Sequence, residues 1–448
     1  MPITPADHQL ALHNLQLPGV ITDPNPYYAA LQVNGPVHFD PFIASWLVCR
    51  HRDVQHLLAS PHTSVRMRHT DSLARFSGAG LEEAFALLDL HVSFVDDPDH
   101  RRLRRTLAEP VQVRRVRTDL AGPIDEAVDT TLDTLAATVA RGEPVDAVTA
   151  LAAPIPIRVT QHLLGMHDVD IATIQRWSHA WGDIVAAPGH VPTGDRDRLL
   201  QTVAELVTYL QTLVDRAERR RASTAGPMLA ALVTAIQTRV MRRDEVIANL
   251  LMLVTAGNET TANLIATTVM ALADDLGLWR LLQAQPERVE AVVEELARLY
   301  AATQFTARRT TAAITLPSGI VIPADASVVL MLAAANRDPD AFPDPDRAIL
   351  GRVGTQPVTF GHGPHLCFGA PLARQEVCRT LHRLVDRFAS VTALPGRVWR
   401  RNGNLRGLEA LPARLHPVAA DRAVPGRLAG GAVRTSVDIV QASGVGAR

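Results

Sequence analysis

Apolar residues recur at helical spacing from about residue 97 to residue 301, almost without interruption. The strongest run extends from about Asp244 to Leu276 and is apolar on most sides. It predicts one central helix of roughly 30 residues, about 45–50 Å long. Residues 1 to about 70 alternate turn signals (DPNP, NGP, DP) with short apolar runs such as WLVCR, which predicts a helix followed by a small β hairpin. From Thr310 to Val329 the period changes to short β-rich runs, ITL and IVI, around a Pro-Ser-Gly turn. The stretch AAANRDPDAFPDPD reads as irregular, a last helix is predicted over about 370–389, and LRGLEALPARL has β character. With no internal repeat and no linker, the pattern predicts a mainly α fold with a small β-rich region. It forms a single domain over 1–416, followed by a small, unpatterned and flexible tail over 417–448.

Composition narrows the function. The chain has 448 residues, 47% hydrophobic and 20% charged, with a formal charge of -1, the profile of a globular protein with a large core and not of a nucleic-acid binder. The opening MPITPADHQLALHNLQLPGV lacks the basic start and apolar core of a signal peptide. No run reaches the roughly 18 apolar residues needed to cross a bilayer; NLLMLVTAGNETTANLIATTVMAL is broken by Asn258, Glu259 and several threonines. These features predict a cytoplasmic protein without a membrane anchor, expected to be a monomer. Cys49, Cys367 and Cys378 have no CxxC spacing, which argues against a disulfide framework or a zinc ribbon.

The chemistry concentrates in FGHGPHLCFGAPLAR, residues 360–374. Glycines let the backbone approach a bulky group closely, and a sulfur at a helix start lies where a thiolate is favoured. A buried structural cysteine after a glycine turn has the same local features. The pattern F-G-x-G-x-x-x-C-x-G, filled by Phe360, Gly361, Gly363, Cys367 and Gly369, resembles the haem-binding loop of the cytochrome P450 superfamily in its soluble bacterial form. That resemblance implies a triangular helical domain enclosing one haem b, with Cys367 as the thiolate ligand of the iron.

Further motifs follow in the family's order. Ala256-Gly257-Asn258-Glu259-Thr260-Thr261 interrupts the apolar central run; the resemblance implies that Ala256 and Gly257 cross the oxygen-binding face of haem. It also implies that Glu259 and Thr260 form a catalytic acid–alcohol pair that delivers protons. On the residues alone, the same segment fits a polar patch with threonines bonded to the backbone. Glu295 and Arg298 share a helix face and resemble the family's E-x-x-R pair, with Arg352 matching its third member; Ala348 and Ile349 stand where Phe and Asp are common. For the haem propionates the resemblance implies His100, Arg104, His365 and one arginine from the β region. Counting from Arg298 and matching Ile314 and Leu316 to inward positions selects Arg308, whereas counting back from Gly319 selects Arg309. Pro357 stands where many relatives carry a histidine.

The resemblance covers about residues 20–416 and implies monooxygenase chemistry. No GxGxxG and no iron–sulfur cysteine spacing occurs, so the two electrons come from NAD(P)H through a separate partner, a ferredoxin or flavodoxin with its reductase. Seven arginines, at 101, 102, 104, 105, 114, 115 and 117, are a docking surface for an acidic partner or an ordinary solvated basic face. Substrate contacts are expected from about 65–94, with Arg66, Arg68, Phe76 and Phe85, and from about 172–196; Trp177 and Trp181, four apart, are expected in the core. The implied reaction is oxidation of a small organic molecule, a secondary-metabolite scaffold. Oxidative C–C or C–N coupling without oxygen insertion is the alternative reaction, and a non-catalytic haem-thiolate ligand sensor the alternative of another class; the latter needs no proton relay.

Overall fold

The structure is a computed structural model that describes residues 10–66, 86–186, 193–219, 225–418 and 438–439. Its axis is the apolar run predicted as one helix over 244–276, which is two helices, Arg243–Ala256 and Glu259–Asp274. Side chains competing for backbone partners cause the break. Asn258 Nδ2 donates to Val254 O at 2.6 Å, the acceptor its own amide would use in a regular helix, and that amide turns to Thr255 O at 3.2 Å. The Thr260 hydroxyl likewise donates to Ala256 O at 2.8 Å. At the N-terminal end, Glu245 accepts from the Arg242 amide at 2.8 Å and closes the first turn.

Helices Ala121–Ala140, Pro154–Leu164, Ile171–Ala186, Thr193–Arg219, Val289–Leu299 and Ala370–Arg387 surround this axis in one continuous apolar core running from Leu88 to Leu415. Trp177 and Trp181 belong to that core, as their spacing predicts. Ala370–Arg387 is joined to Ala121–Ala140 by a ladder at four-residue steps: Asp125 with Arg379 (2.6 Å), Asp129 with Arg383 (3.0 Å) and Asp133 with Arg387 (2.5 Å). These pairs are partly exposed and each adds little, but their shared period fixes how the two helices slide.

The β-rich region is a five-stranded sheet in the order Val37–Asp40, Ser45–Val48, Ser327–Leu330, Thr306–Thr310, Thr63–Ser64, parallel only between Ser45–Val48 and Ser327–Leu330. Two smaller units follow the last helix: a three-stranded sheet of Phe388–Ala393, Pro412–Pro417 and Val145–Asp146, and a hairpin pairing Val398–Trp399 with Leu408–Ala410. Asp438–Ile439 pairs in parallel with Ile349–Leu350.

Glu295, Arg298 and Arg352 meet as the E-x-x-R spacing predicts. Glu295 accepts two bonds from Arg298, at 2.7 and 2.9 Å, and one from Arg352 at 2.9 Å. Arg298 also holds the carbonyls of Asn336 and Pro345, at 2.9 and 2.7 Å. A fully buried guanidinium with this many partners fastens the irregular segment before the cysteine loop to helix Val289–Leu299. The substitutions at Ala348 and Ile349 do not displace Arg352, because the Ile349 amide itself bonds Glu295 at 2.9 Å. Among the described residues, no helix is long and apolar enough to cross a membrane.

Candidate active site

The cysteine loop is built by short backbone bonds. Gly361 N donates to Val358 O at 2.9 Å, Leu366 N to Gly363 O at 3.0 Å and Cys367 N to Phe360 O at 2.8 Å, leaving Cys367 just before helix Ala370–Arg387. Gly363 has φ +72°, and a Cβ there would lie 2.7 Å from Leu58 O, so only glycine lets the loop rest on the end of helix His51–Ala59. The Phe360 ring lies 4.3 Å from the Arg374 guanidinium, and Arg104 lies 5.8 Å from the Phe368 ring.

Cys367 opens into a cavity of about 390 Å³ that also takes in Ala256, Gly257 and Thr260 at the helix break, Arg308, His100, Arg104 and His365. Its thiol is enclosed by protein yet open to the cavity interior. Burial raises its pKa, an effect that the amides of Gly369 and Ala370 and the charges of Arg104 and Arg374 partly offset. The helix start therefore favours the thiolate as the sequence suggests, but desolvation outweighs it in the protein alone.

Four basic side chains gather at this cavity, and no described carboxylate is hydrogen-bonded to either arginine. Arg308 bonds only Thr306 Oγ1 (3.2 Å) and Ala307 O (2.7 Å), and burial pushes its pKa down to about 10. The rings of His100 and His365 are 3.9 Å apart. Burial, then repulsion by His100 and Arg308, lowers the His365 pKa to about 3. His100 is lowered by burial and by Arg104, and its buried Nε2 has no partner. Arg309 points the other way, to Asp325 at 2.7 Å, because neighbouring strand residues face opposite sides. A sulfur open to a closed cavity, beside two guanidiniums bonded to no described acid and two imidazoles of which His100 has an acid near it, Asp97 at 3.6 Å, fits haem with its thiolate ligand and two propionates.

Thr260 and Glu259 do not share the cavity. Glu259 turns to the opposite side of the helix, into a second cavity of about 430 Å³ lined by His179, Asp183 and Arg400. Arg400 bridges the two acids, reaching Glu259 Oε2 at 2.8 Å and Asp183 Oδ1 at 2.6 Å. Gly182 makes room: a Cβ there would lie 2.7 Å from Glu259 Oε1, an oxygen left without a partner. Burial, offset in part by Arg400 and reinforced by Asp183, raises the Glu259 pKa to about 7. Exposed Arg401 and Glu409 rim this cavity and connect it with solvent.

Sequence reasoning missed Arg400, Asp183 and Glu376. Arg400 lies 141 residues from Glu259, and no local pattern links them. Glu376 carried a usable signal, an acid on the same apolar helix face as Leu372 and Thr380; it is fully enclosed beside the haem-site cavity and burial holds its pKa well above the usual carboxylate range. Of the expected substrate-contact residues, Arg66 stands at the surface 3.6 Å from Asp99, while Arg68, Phe76 and Phe85 lie outside the described residues.

Comparison with known proteins agrees with this geometry. The Cytochrome P450 family model matches residues 56–404. The chain is 33% identical over 401 residues to the cytochrome P450 monooxygenase PikC of Streptomyces venezuelae, covering 88% of this chain and 91% of that protein. It is 32% identical over 350 residues to the erythromycin C-12 hydroxylase of Saccharopolyspora erythraea, covering 78% of this chain and 83% of the relative. The solved structure of the P450 monooxygenase TamI with tirandamycin C bound superposes with a TM-score of 0.77 at 30% identity, covering 89% of this chain and 98% of that one. With the cysteine loop, the interrupted central helix and the buried E-x-x-R network joined in one fold, the chain belongs to the cytochrome P450 family.

Proposed function

We propose that this protein uses haem b, dioxygen and electrons from a separate redox partner to oxidise a small, largely apolar organic molecule of secondary metabolism. The observation that carries the reading is the cavity that brings together the Cys367 sulfur, the Thr260 hydroxyl at the helix break and four basic groups, of which neither arginine bonds a described acid. When bound, haem supplies the iron centre at which dioxygen is reduced and the substrate oxidised. Cys367 is its thiolate ligand, Arg104, Arg308, His100 and His365 hold the propionates, and Phe360, Gly361 and Gly369 shape the loop. Ala256 and Gly257 present backbone without bulk to the opposite side.

The remaining work is proton supply. Thr260 holds its hydroxyl at the break through Ala256 O. Glu259, with a pKa near neutrality, takes a proton from water in the second cavity while Arg400 and Asp183 hold it on the solvent side. To pass the proton on, the carboxyl leaves Arg400, which keeps Asp183 as partner. Thr260 accepts the proton on its oxygen through the loosened turn as it releases its own hydroxyl proton into the haem-site cavity.

Three of the seven clustered arginines, Arg105, Arg114 and Arg117, are exposed and make no ion pair with a described acid, whereas Arg101, Arg102 and Arg115 are paired and Arg104 faces the cavity. They are the surface for an acidic ferredoxin or flavodoxin, reduced in turn by an NAD(P)H-dependent reductase. Val92, Met252 and Leu253 give the haem-site cavity apolar walls, which suits a hydrophobic scaffold. The erythromycin hydroxylase relative and the tirandamycin-bound structure support a natural-product substrate, and the protein is expected in the cytoplasm. The deciding experiment is the carbon monoxide difference spectrum of the dithionite-reduced protein and of Cys367→Ser. A strongly red-shifted Soret band that disappears in the variant is expected; its absence from haem-loaded wild type would overturn the reading.

A further inference from the structure

A third cavity, a groove of about 820 Å³, lies between Pro18–Asn25, Asp274, Tyr300 and the hairpin residues Trp399, Arg401 and Arg406. It is separate from the haem-site cavity. Thr303 bridges to Leu405 and the Arg406 amide donates to Ala302 O at 2.8 Å, so Ala302 and Thr303 face the haem site while Arg406 lines the groove behind them.

The charges of this groove do not balance. Arg397 is neutralised by Asp274 at 2.6 Å, and Arg337 bonds Asp346 and Leu299 O, the latter at 2.9 Å. Asp23 at the rim accepts from the Asn25 amide at 3.1 Å. Arg406 makes no ion pair with an acid among the described residues, although Asp23 acts on it across the groove: Nη2 reaches Thr22 O at 3.2 Å, and its buried Nε has no partner. Its guanidinium carbon lies 3.7 Å from the centre of the Trp399 ring, which holds the fork flat and aimed. Burial, with repulsion from Arg337 added and Tyr28, Tyr300 and Asp23 working against it, pushes its pKa down to about 10. Arg401 stands exposed at the mouth without a described acidic partner.

A half-buried cation with no ion-pair partner and a buried, unbonded Nε is costly unless something supplies the missing contact. The chain contains no lysine, so all 45 of its basic residues are arginines, whose planar fork matches an oxyanion. We propose that this groove binds an organic oxyanion, a carboxylate or phosphate, with its charged group on Arg406 and Arg401 and its body against Tyr300. The ligand is a second molecule, not the one oxidised, because the Thr303–Leu405 bridge closes the way to the haem site.

The test is calorimetric titration of the haem-loaded, full-length protein with sodium phosphate and with sodium acetate at matched ionic strength, with sodium chloride as control. Saturable binding of one oxyanion is expected; tighter phosphate identifies a phosphate-bearing ligand and tighter acetate a carboxylate. Affinity should fall about tenfold in Arg406→Gln and about threefold in Arg401→Glu, the difference between a buried and an exposed charge-assisted contact. Arg406 also braces Trp399, so the exposed Arg401→Glu variant guards against a folding artefact: its melting temperature and carbon monoxide spectrum should match wild type while its anion affinity drops. No saturable binding, or unchanged affinity in either variant, overturns the proposal.

Discussion

The cavities on the two sides of the central-helix break treat charge in opposite ways. On the Cys367 side, Arg104, Arg308, His100 and His365 crowd together and neither arginine bonds an acid. On the other side, Arg400 is shared by Glu259 and Asp183, and one carboxylate oxygen alone is left over. The first arrangement is unstable until an anion arrives, so it marks a place for a bound group. The second is nearly self-sufficient, so it suits a proton that comes and goes. One turn of helix, loosened by Asn258 and Thr260, separates them.

The largest effect should come from emptying the first side of its sulfur: Cys367→Ser abolishes the red-shifted carbon monoxide band and product formation, read by difference spectroscopy and turnover. Arg308→Leu comes next, since it removes a buried cation facing the cavity; haem retained after gel filtration should fall severalfold, and full retention would mean that the cationic cluster does not serve the propionates. On the second side, Glu259→Gln should lower coupled product formation by about 100-fold, the low end for a positioned proton donor, and divert electrons to peroxide. A sensor would keep its ligand affinity in this variant.

Stability against pH sharpens the contrast. The Glu259 pKa is raised in the folded protein to about 7 from 4.5, so between these values the native state holds a proton that the unfolded chain lacks. Its contribution is full below pH 4.5 and lost as the pH rises through about 7. The urea midpoint of wild type relative to Glu259→Gln should therefore fall across that window, and a flat difference would mean that Glu259 stays ionised. The smallest effect is expected from Arg400→Gln. Arg400 lowers the Glu259 pKa, so its removal should move the alkaline limb of the rate profile to higher pH, with the carbon monoxide band unchanged.

How much of this was legible varied with distance along the chain. The cysteine loop lies within ten residues, and Gly363, pressed on Leu58 O, shows why its spelling is strict. The hairpin Val37–Val48 and helix Ala370–Arg387 follow from turn residues and period. The central helix and the interruption of its apolar run at 256–261 were legible, but not its division into two helices: apolar period registers burial, whereas the break depends on which carbonyls Asn258 and Thr260 capture. Glu259 shows the same limit. Adjacent helical residues point about 100° apart, so the neighbours Glu259 and Thr260 face different cavities.

By itself the sequence determined the family and the mainly helical architecture and singled out Cys367, because each is carried by short-range spacing that the backbone must satisfy locally. Which arginine turns inward, where Glu259 finds its counter-charge and why Arg406 makes no ion pair were decided only by the tertiary structure. Charge pairing acts across space, and residues 141 apart in the chain become neighbours only when the folded core brings them together.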